Sequence, residues 1–177
     1  GRITSNDKML TTGNISITSA GIKTVVSSFM GITILKTDGT TKTHSTNDNF
    51  AIDGDQSNIH EIYSNWRSFV GIRSVNRSLV AWGHTLDGGA SSLAADMNAL
   101  TMTNVEYVVA SRKAFAAINS SGHVVDWGNQ EYGISTLSNV IVLSANDFAF
   151  SAIQSDGRVL SWGTSGYGGC TVDQTYY

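Results

Sequence analysis

The chain has 177 residues, a length that fits one domain of ordinary size or one array of repeats. Charged residues make up 14% of the chain, whereas about a quarter is usual in globular proteins. The net charge is −3, so the chain offers phosphate groups little to bind, and a nucleic-acid partner is disfavoured. The apolar stretches are far shorter than the roughly 18 residues that a membrane helix needs, so we expect no insertion into a membrane.

One sequence unit is repeated along the chain. Residues 138–163 align without a gap on residues 103–128, and residues 57–83 align on both with one extra residue in a turn. Residues 20–45 also align but lack the Trp-Gly pair that ends the other three, and residues 1–6 resemble the end of an earlier unit. We therefore interpret the whole chain as a single repeat domain. Its units run, approximately, over 1–20 (partial), 21–57, 58–103, 104–138 and 139–177.

Each unit is predicted to form three short strands. In the last unit these are residues 140–143, 150–153 and 158–162, which are rich in β-branched and aromatic residues and alternate with period two. Asp156-Gly157 supplies the tight turn between the second and third strands, because glycine reaches the positive φ that such turns require. Since a unit of about 25 residues cannot bury its own apolar face, neighbouring units must stack.

An insert between Trp82 and Val105 differs from the rest of the repeat. Residues 91–100 begin with Ser91 as a candidate N-cap, contain good helix formers, and place apolar residues at 93, 97 and 100. This pattern predicts one short amphipathic helix near 91–100, packed on the strands, and no other helix.

The most specific motif is a small-residue turn, an apolar strand, a Ser-Gly or Asp-Gly turn, and an apolar strand that ends in Trp-Gly. Residues 116–128, with Gly133 beyond them, and residues 152–163, with Gly168-Gly169 beyond them, carry it. This arrangement resembles the regulator of chromosome condensation repeat family. The resemblance implies an all-β fold, an RCC1-like β-propeller or partial propeller of four to five small blades with three to four antiparallel strands each.

Three Trp-Gly pairs recur in register and are predicted to be structural. They are Trp82-Gly83, Trp127-Gly128 and Trp162-Gly163. We expect these indoles to pack in the core between blades rather than to stack on a ligand, because buried aromatic residues dominate such cores. His44 and Asn6 occupy the tryptophan position in the first two copies, which predicts an edge or an altered contact there.

The sequence leaves undecided whether the repeat units close into a ring. Four complete units and one partial unit do not form equal blades, so either residues 1–6 pair with another element as a closing strap or the chain is part of a longer array. The chain begins with Gly1 and stops within a connector, and we expect a fragment or a processed domain.

The alternating chain direction places two sets of loops at the same end of the blades. We call this end, with the turns between first and second strands and the loops after Trp-Gly, the loop face; the opposite end, with the Asp-Gly type of turn, is the hairpin face. Residues on the loop face vary from unit to unit, and variable loops on a rigid repeated scaffold favour recognition. The candidate binding residues are Trp66, Arg67, Arg112, Lys113, Asp147, His84, Asp87, Glu131, Tyr132 and Tyr167.

Several candidates have a structural interpretation as well. Trp66 is either an exposed interface anchor or a side chain that folds over its own blade. Tyr132 and Tyr167 follow Trp-Gly in matching positions, which favours rim packing. Arg67, Arg112 and Lys113 form either a local positive patch or a set of solvated charges.

Residues for chemistry are sparse in the sequence. The single cysteine, Cys170, excludes an intrachain disulfide, and the four histidines fall at unrelated repeat positions without ligand spacing. Residues 163–168 lack the second glycine of a nucleophile elbow. We therefore predict no enzyme activity, no metal and no cofactor.

The leading hypothesis is a non-enzymatic binding module of a secreted or surface-exposed microbial protein, which recognises a protein partner at a cell surface through the loop face. A carbohydrate-binding propeller is the second hypothesis, because aromatic faces can stack on sugar rings. Nucleotide exchange on a small GTPase is what the eukaryotic members of the family would imply, and a structural spacer needs the scaffold alone.

Overall fold

The computed structural model describes residues 21–45, 56–129, 133–134, 136–169 and 174–175. Glu131, Tyr132, Cys170, Asn6 and the first partial unit lie outside these residues.

Four antiparallel sheets follow one another along the described part of the chain, and we call them blades 1 to 4. Blade 1 contains β1 (Ile22–Ser27), β2 (Gly31–Lys36) and β3 (Thr41–Ser45). Blade 2 contains β4 (Ile59–Ser64), β5 (Ser68–Arg73) and β6 (Leu79–Gly83). Blade 3 contains β7 (Val105–Ala110), β8 (Ala114–Asn119) and β9 (Val124–Gly128). Blade 4 contains β10 (Val140–Ala145), β11 (Ala149–Gln154), β12 (Arg158–Gly163) and β13 (Gln174–Thr175).

Every blade is a simple meander in which neighbours along the chain are hydrogen-bonded neighbours in the sheet. The first strand of each blade carries a β-bulge near its start, between Ile59 and Glu61 in blade 2 and at the equivalent positions elsewhere. The all-β prediction, with three to four antiparallel strands in each blade, is confirmed.

The hairpin turns tie each blade to the next. Asn58, Asn104 and Asn139, directly before β4, β7 and β10, adopt left-handed φ values of 58°, 55° and 60°, a conformation that asparagine tolerates better than most residues. The residue after each asparagine donates its amide to a carbonyl in the hairpin turn of the preceding blade, at 2.9, 3.0 and 3.0 Å. The hairpin face is therefore held by main-chain hydrogen bonds that depend on the backbone and not on the side chains.

Arg77 shows how the one-residue insertion in blade 2 is accommodated. It has a φ of 51°, in the left-handed region that glycines occupy in the turns of the other blades. Its guanidinium donates from Nε to the Val105 carbonyl at 2.6 Å and from Nη2 to the Glu106 carbonyl at 2.9 Å. The strained turn thus gains contacts with blade 3 that a glycine would not make.

Buried indoles occupy the seams between blades. Trp82, Trp127 and Trp162 are 2%, 3% and 1% exposed. Each indole N–H donates to an acceptor that lies earlier in the chain, on the other side of the seam. In chain order the acceptors are Thr33 Oγ1 at 3.3 Å, the Gly88 carbonyl at 3.1 Å and Asp126 Oδ2 at 2.8 Å. A buried donor left without a partner costs about 1–3 kcal/mol, so these bonds specify how the blades stack.

Each of these indoles also stacks on a phenylalanine directly opposite it in its own sheet. The ring centroids of Phe69 and Trp82 lie 5.9 Å apart, and the equivalent pairs in blades 3 and 4 both lie 5.6 Å apart. In blade 1 the same register pairs Ile32 with His44, so this first described blade has an aliphatic residue and an imidazole where the others have two aromatic rings.

The helical insert differs in detail from its prediction. The segment expected near 91–100 is divided into two helices, α1 (Ala90–Ala95) and α2 (Met97–Thr101). The division occurs at Asp96, which adopts an extended conformation. Its carboxylate accepts hydrogen bonds from the amides of Asn98 and Ala99, at 2.9 and 3.0 Å. Gly89, and not Ser91, is the N-cap of α1. Leu93 and Ala99 are buried in the cluster between blades 2 and 3.

Two short 3₁₀ turns, which we did not predict, follow Trp-Gly in blades 2 and 4. They are Thr85–Asp87 and Ser165–Tyr167. Among the described residues, no helix has the length and hydrophobicity to cross a membrane.

We expect Trp162→Phe to lower the free energy of unfolding by about 2–4 kcal/mol, because it removes the hydrogen bond to the buried Asp126 carboxylate and leaves a cavity in the seam. Urea unfolding followed by circular dichroism would measure the change. Ile141→Ala is the control: Ile141 is 61% exposed, and a change within about 0.5 kcal/mol is expected. Equal effects of the two substitutions would contradict the proposed importance of the seam.

Tyr63 links blade 2 to blade 3 and is expected to make stability depend on alkaline pH. Burial raises the pKa of its hydroxyl from 10.0 to about 12, with a further upward contribution from Glu61, while a main-chain hydrogen bond with Val108 acts in the opposite direction. The folded state therefore holds this proton more tightly than the unfolded state, so its contribution is complete below pH 10 and is lost as the pH rises towards 12.

Urea unfolding at a series of pH values from 9 upward would test this, with Tyr63→Phe as the comparison. The parent chain should lose stability above pH 10 more steeply than the variant, which has no hydroxyl to ionise. Parallel pH dependences for the two proteins would refute the assignment.

Candidate functional site

The turns between first and second strands share one construction in all four blades. Each begins with a small polar residue, which is Ser28, Asn65, Ser111 or Asn146. Its side-chain oxygen accepts hydrogen bonds from amides two or three residues further along, at distances between 2.8 and 3.2 Å. Such local bonds hold a turn without help from the following side chain. The residue after each cap is thus free to vary.

The four residues that follow the caps lie together on the loop face, and we call them the hub. They are Phe29, Trp66, Arg112 and Asp147, one from each blade. The Phe29 amide donates to the Trp66 carbonyl at 3.0 Å, the Trp66 amide to the Arg112 carbonyl at 3.2 Å, and the Arg112 amide to the Asp147 carbonyl at 2.8 Å. Because the first strands of successive blades also contact one another, the hub lies where the blades converge.

Trp66 is the centre of the hub. The Arg112 guanidinium lies 4.4 Å from the centroid of its ring, and the Arg67 guanidinium lies 4.8 Å from it. The Phe29 ring is 5.5 Å away at an interplanar angle of 41°. Trp66 therefore contacts both neighbouring blades and is held in place before any ligand arrives. Each cation–π contact of this kind contributes about 0.5–1 kcal/mol.

A buried carboxylate holds Arg67 in this position. Arg67 Nε donates to Asp87 Oδ2, and the Asp87 side chain is completely buried while that of Arg67 is 21% exposed. His84 Nδ1 lies 3.7 Å from the same oxygen, and Asn65 Nδ2 donates to the Asp87 carbonyl at 2.6 Å. Asp87 is thus a supporting residue that neutralises Arg67, and it does not reach the surface as a binding residue would.

Two cavities open on either side of the hub. The larger, of about 550 Å³, is lined by Trp66, Ser111, Arg112, Lys113, Asn129, Asp147, Phe148 and Thr164. The second, of about 420 Å³, is lined by Ser27, Ser28, Phe29, Ser64, Asn65, Trp66, Ala110, Ser111, Arg112 and Asp147. Trp66, Ser111, Arg112 and Asp147 line both, so three residues of the hub, together with Ser111, separate the two cavities.

The structure brings most of the candidate residues together. Trp66, Arg112, Lys113 and Asp147 line the larger cavity. Tyr167 lies at its rim: it is 58% exposed, and its ring stacks on Phe148 at a centroid distance of 4.3 Å. Glu131 and Tyr132 lie outside the described residues, so their positions stay a prediction.

Four lining residues of the larger cavity were missed in the sequence: Ser111, Asn129, Phe148 and Thr164. Ser111 was identifiable as the equivalent of Asn65 and Asn146, which cap the same turn. The other three lie beside positions that the repeat alignment had already singled out, but nothing in the alignment shows that their side chains face a cavity.

The two cations of the larger cavity differ from Arg67 in their surroundings. Within the described residues, neither Arg112 nor Lys113 forms an ion pair with a carboxylate, and no hydrogen bond from the Arg112 guanidinium is present. The described residues also contain no group of three or more His, Cys, Asp or Glu side chains that could hold a metal ion. The arrangement is suited to binding an anion next to an aromatic surface.

We expect the Arg67–Asp87 pair to show strong energetic coupling in a double-mutant cycle that uses Arg67→Gln and Asp87→Asn. Removing either partner alone leaves a buried polar group unpaired, so we expect a coupling free energy of about 1–3 kcal/mol. This coupling is smaller than that of a fully buried ion pair because Arg67 is partly exposed to solvent. Chemical unfolding of the four proteins measures it.

Arg158 and Asp156 provide the matched control for this cycle. Their closest nitrogen and oxygen atoms lie 3.1 Å apart, but their side chains are 48% and 53% exposed. Coupling of at most about 0.5 kcal/mol is expected there. A coupling for Arg67 and Asp87 that is no larger than for this exposed pair would show that the buried carboxylate does not hold the hub.

Comparison with known proteins supports the fold. No protein-family model and no curated protein matches the chain. Among solved structures it is similar to Prp20p from Saccharomyces cerevisiae, with 11% identity, a TM-score of 0.57, and coverage of 81% of this chain and 44% of that one. It is also similar to the ectodomain of the receptor kinase CR4 from Physcomitrella patens, with 15% identity, a TM-score of 0.59, and coverage of 84% of this chain and 40% of that one. For human WBSCR16 the identity is 14%, the TM-score is 0.57, and the coverage is 96% of this chain and 57% of that one.

These likenesses show an RCC1-like β-propeller fold, in agreement with the family resemblance in the sequence. The chain spans between 40% and 57% of the length of the three structures. At such identities the comparison describes the scaffold and not the activity.

Proposed function

We propose that these four stacked blades are a non-enzymatic interaction module that binds a protein partner through the loop face. The observation that carries the proposal is the hub, where four blades contribute Phe29, Trp66, Arg112 and Asp147 between two cavities. Tryptophan and arginine are enriched among the residues that dominate binding energy, especially when they lie in central pockets.

The pre-organised state of the hub also supports protein binding. Trp66 is held by Arg67, Arg112 and Phe29, so little side-chain entropy is lost when a partner packs on it. The exposed side chains of Phe29 (72% exposed) and Tyr167 (58% exposed) extend the surface on either side. A partner could thus bury apolar area around a fixed aromatic and cationic centre.

Proteins with the same fold provide further support. The structure of yeast Prp20p was described together with its binding to Gsp1p and histones, and a second structure contains Kap60 bound to it. These statements concern Prp20p. They support the proposal because they show that a propeller of this type can serve as a protein-binding scaffold.

We propose further that the module belongs to a secreted or surface-exposed microbial protein. The support is compositional: only 14% of the residues are charged, and Ser, Thr and Asn make up much of the remaining polar sequence. The family resemblance, in which bacterial members look like parts of large exported proteins, agrees with this composition.

A glycan ligand is the second candidate. The exposed rings of Phe29 and Tyr167 favour it, because aromatic faces can stack on sugars while neighbouring Ser, Asn and Asp side chains bond the hydroxyls.

The experiment is covalent capture of partner proteins on intact cells whose surface proteins have been labelled. The chain carries a photo-crosslinker, and mass spectrometry identifies captured proteins. Trp66→Ala combined with Arg112→Ala should lower capture of the partner about tenfold or more, because it removes the aromatic and cationic centre. The control combines Val75→Ala and Arg158→Ala on the hairpin face, which also removes one exposed apolar residue and one arginine.

Two results would contradict the proposal. Capture that falls equally in both double variants would place the interface elsewhere. Selective binding of the chain to a glycan array, with no captured protein, would favour the carbohydrate alternative.

A further inference from the structure

The larger cavity has an unbalanced charge. Of the described residues that line it, Arg112 and Lys113 are cationic and Asp147 is the one acid. Arg67, which also lies against Trp66, is already neutralised by the buried Asp87. The wall of the cavity therefore carries a net charge of about +1 on a chain whose total is −3, and the nearby field favours an anion.

The contact of Arg112 with Trp66 leaves the hydrogen-bond donors of the guanidinium available. The central guanidinium carbon lies over the Trp66 ring, 4.4 Å from its centroid, and a guanidinium carries five N–H donors. No described residue accepts a hydrogen bond from the Arg112 side chain. A planar cation that is held against an aromatic ring and has unused donors can bind a carboxylate in a bidentate manner.

The remaining walls define what accompanies that carboxylate. Trp66 and Phe148 are aromatic, while Ser111, Asn129 and Thr164 offer hydroxyl and amide groups. A cavity of about 550 Å³ accommodates a ligand of a few residues rather than a folded surface. A peptide segment with an acidic side chain beside an apolar one would contact all three parts of the lining. The acid would meet the cations, the apolar side chain would meet the aromatic rings, and the extended main chain would meet the hydroxyl and amide groups.

We propose, on the basis of the protein-binding function above, that the larger cavity is a specificity pocket for an acidic peptide segment. A Glu or Asp side chain of the partner binds Arg112 and Lys113, and a neighbouring apolar side chain packs on Trp66 and Phe148. Asp147 repels a second negative charge, so the pocket selects an isolated carboxylate over a polyanion.

The test uses the full chain and a positional peptide library. In each sub-library of octapeptides one central position is fixed as one amino acid and the other positions are mixed. Sub-libraries with fixed Glu or Asp should give at least about fivefold more bound fluorescent chain than those with Gln or Asn. The best single peptide is then measured by fluorescence polarisation, and its Gln or Asn counterpart should bind about tenfold more weakly.

Substitutions in the chain should move the affinity in opposite directions. Arg112→Gln should weaken binding of the acidic peptide about tenfold, and Lys113→Gln about threefold to tenfold, because each removes a cation from the pocket. Asp147→Asn should strengthen it about twofold to fivefold, because it removes a like charge. Arg158→Gln on the hairpin face is the matched control and should leave the affinity unchanged.

Near-ultraviolet circular dichroism of each variant checks its folding. If Arg112→Gln does not fold, the opposite signs of Lys113→Gln and Asp147→Asn test the same assignment. A library that prefers Lys or Arg, or equal binding of the Glu and Gln peptides, would overturn it. Tighter binding of uronic-acid or sialylated glycans than of any acidic peptide would also overturn it.

Failure of this inference is distinguishable from failure of the proposed function. If no acidic peptide binds but covalent capture still depends on Trp66 and Arg112, the loop face binds proteins by a different chemistry. If capture is also independent of these residues, the proposed function itself is wrong.

Discussion

The structure depends on the seam between neighbouring blades, where one blade inserts a tryptophan against the preceding one. A sheet of three short strands cannot bury both faces by itself, so stacking supplies the core. The indoles bring a large apolar area together with one N–H that must find an acceptor. A hydroxyl, a main-chain carbonyl and a carboxylate provide it in the three seams. Sliding of one blade past another would leave a buried donor unpaired, and the stacking is specific for this reason.

Rigid seams make the variable turns useful. Because each turn is capped by its own Ser or Asn, and because main-chain bonds join successive turns, the turn keeps its conformation whichever side chain follows the cap. Four such positions, one from each blade, meet at the hub. The loop face can therefore combine aromatic, cationic and acidic groups that are far apart in the sequence, while the strands stay alike.

The sequence predicted the strands because the units align residue by residue and their alternation has period two. It could not place Trp66 against Arg112, since these residues belong to different units and their contact depends on how the blades stack. The pairing of Arg67 with Asp87 depends on the 3₁₀ turn after β6, whose path no local pattern gives. Asp96 divides the predicted helix because its carboxylate caps the second half, which apolar spacing does not reveal.

Native-state hydrogen exchange, resolved by residue with NMR, tests most directly whether the blades converge at the hub. The amides of Phe29, Trp66 and Arg112 lie in surface turns, yet each is bonded to the next blade. We expect them to exchange about 100-fold or more slowly than in an unfolded peptide, and to lose this protection together when a seam is disrupted. Exchange of these three amides at the rate of an unfolded peptide, while the strands remain protected, would contradict the account.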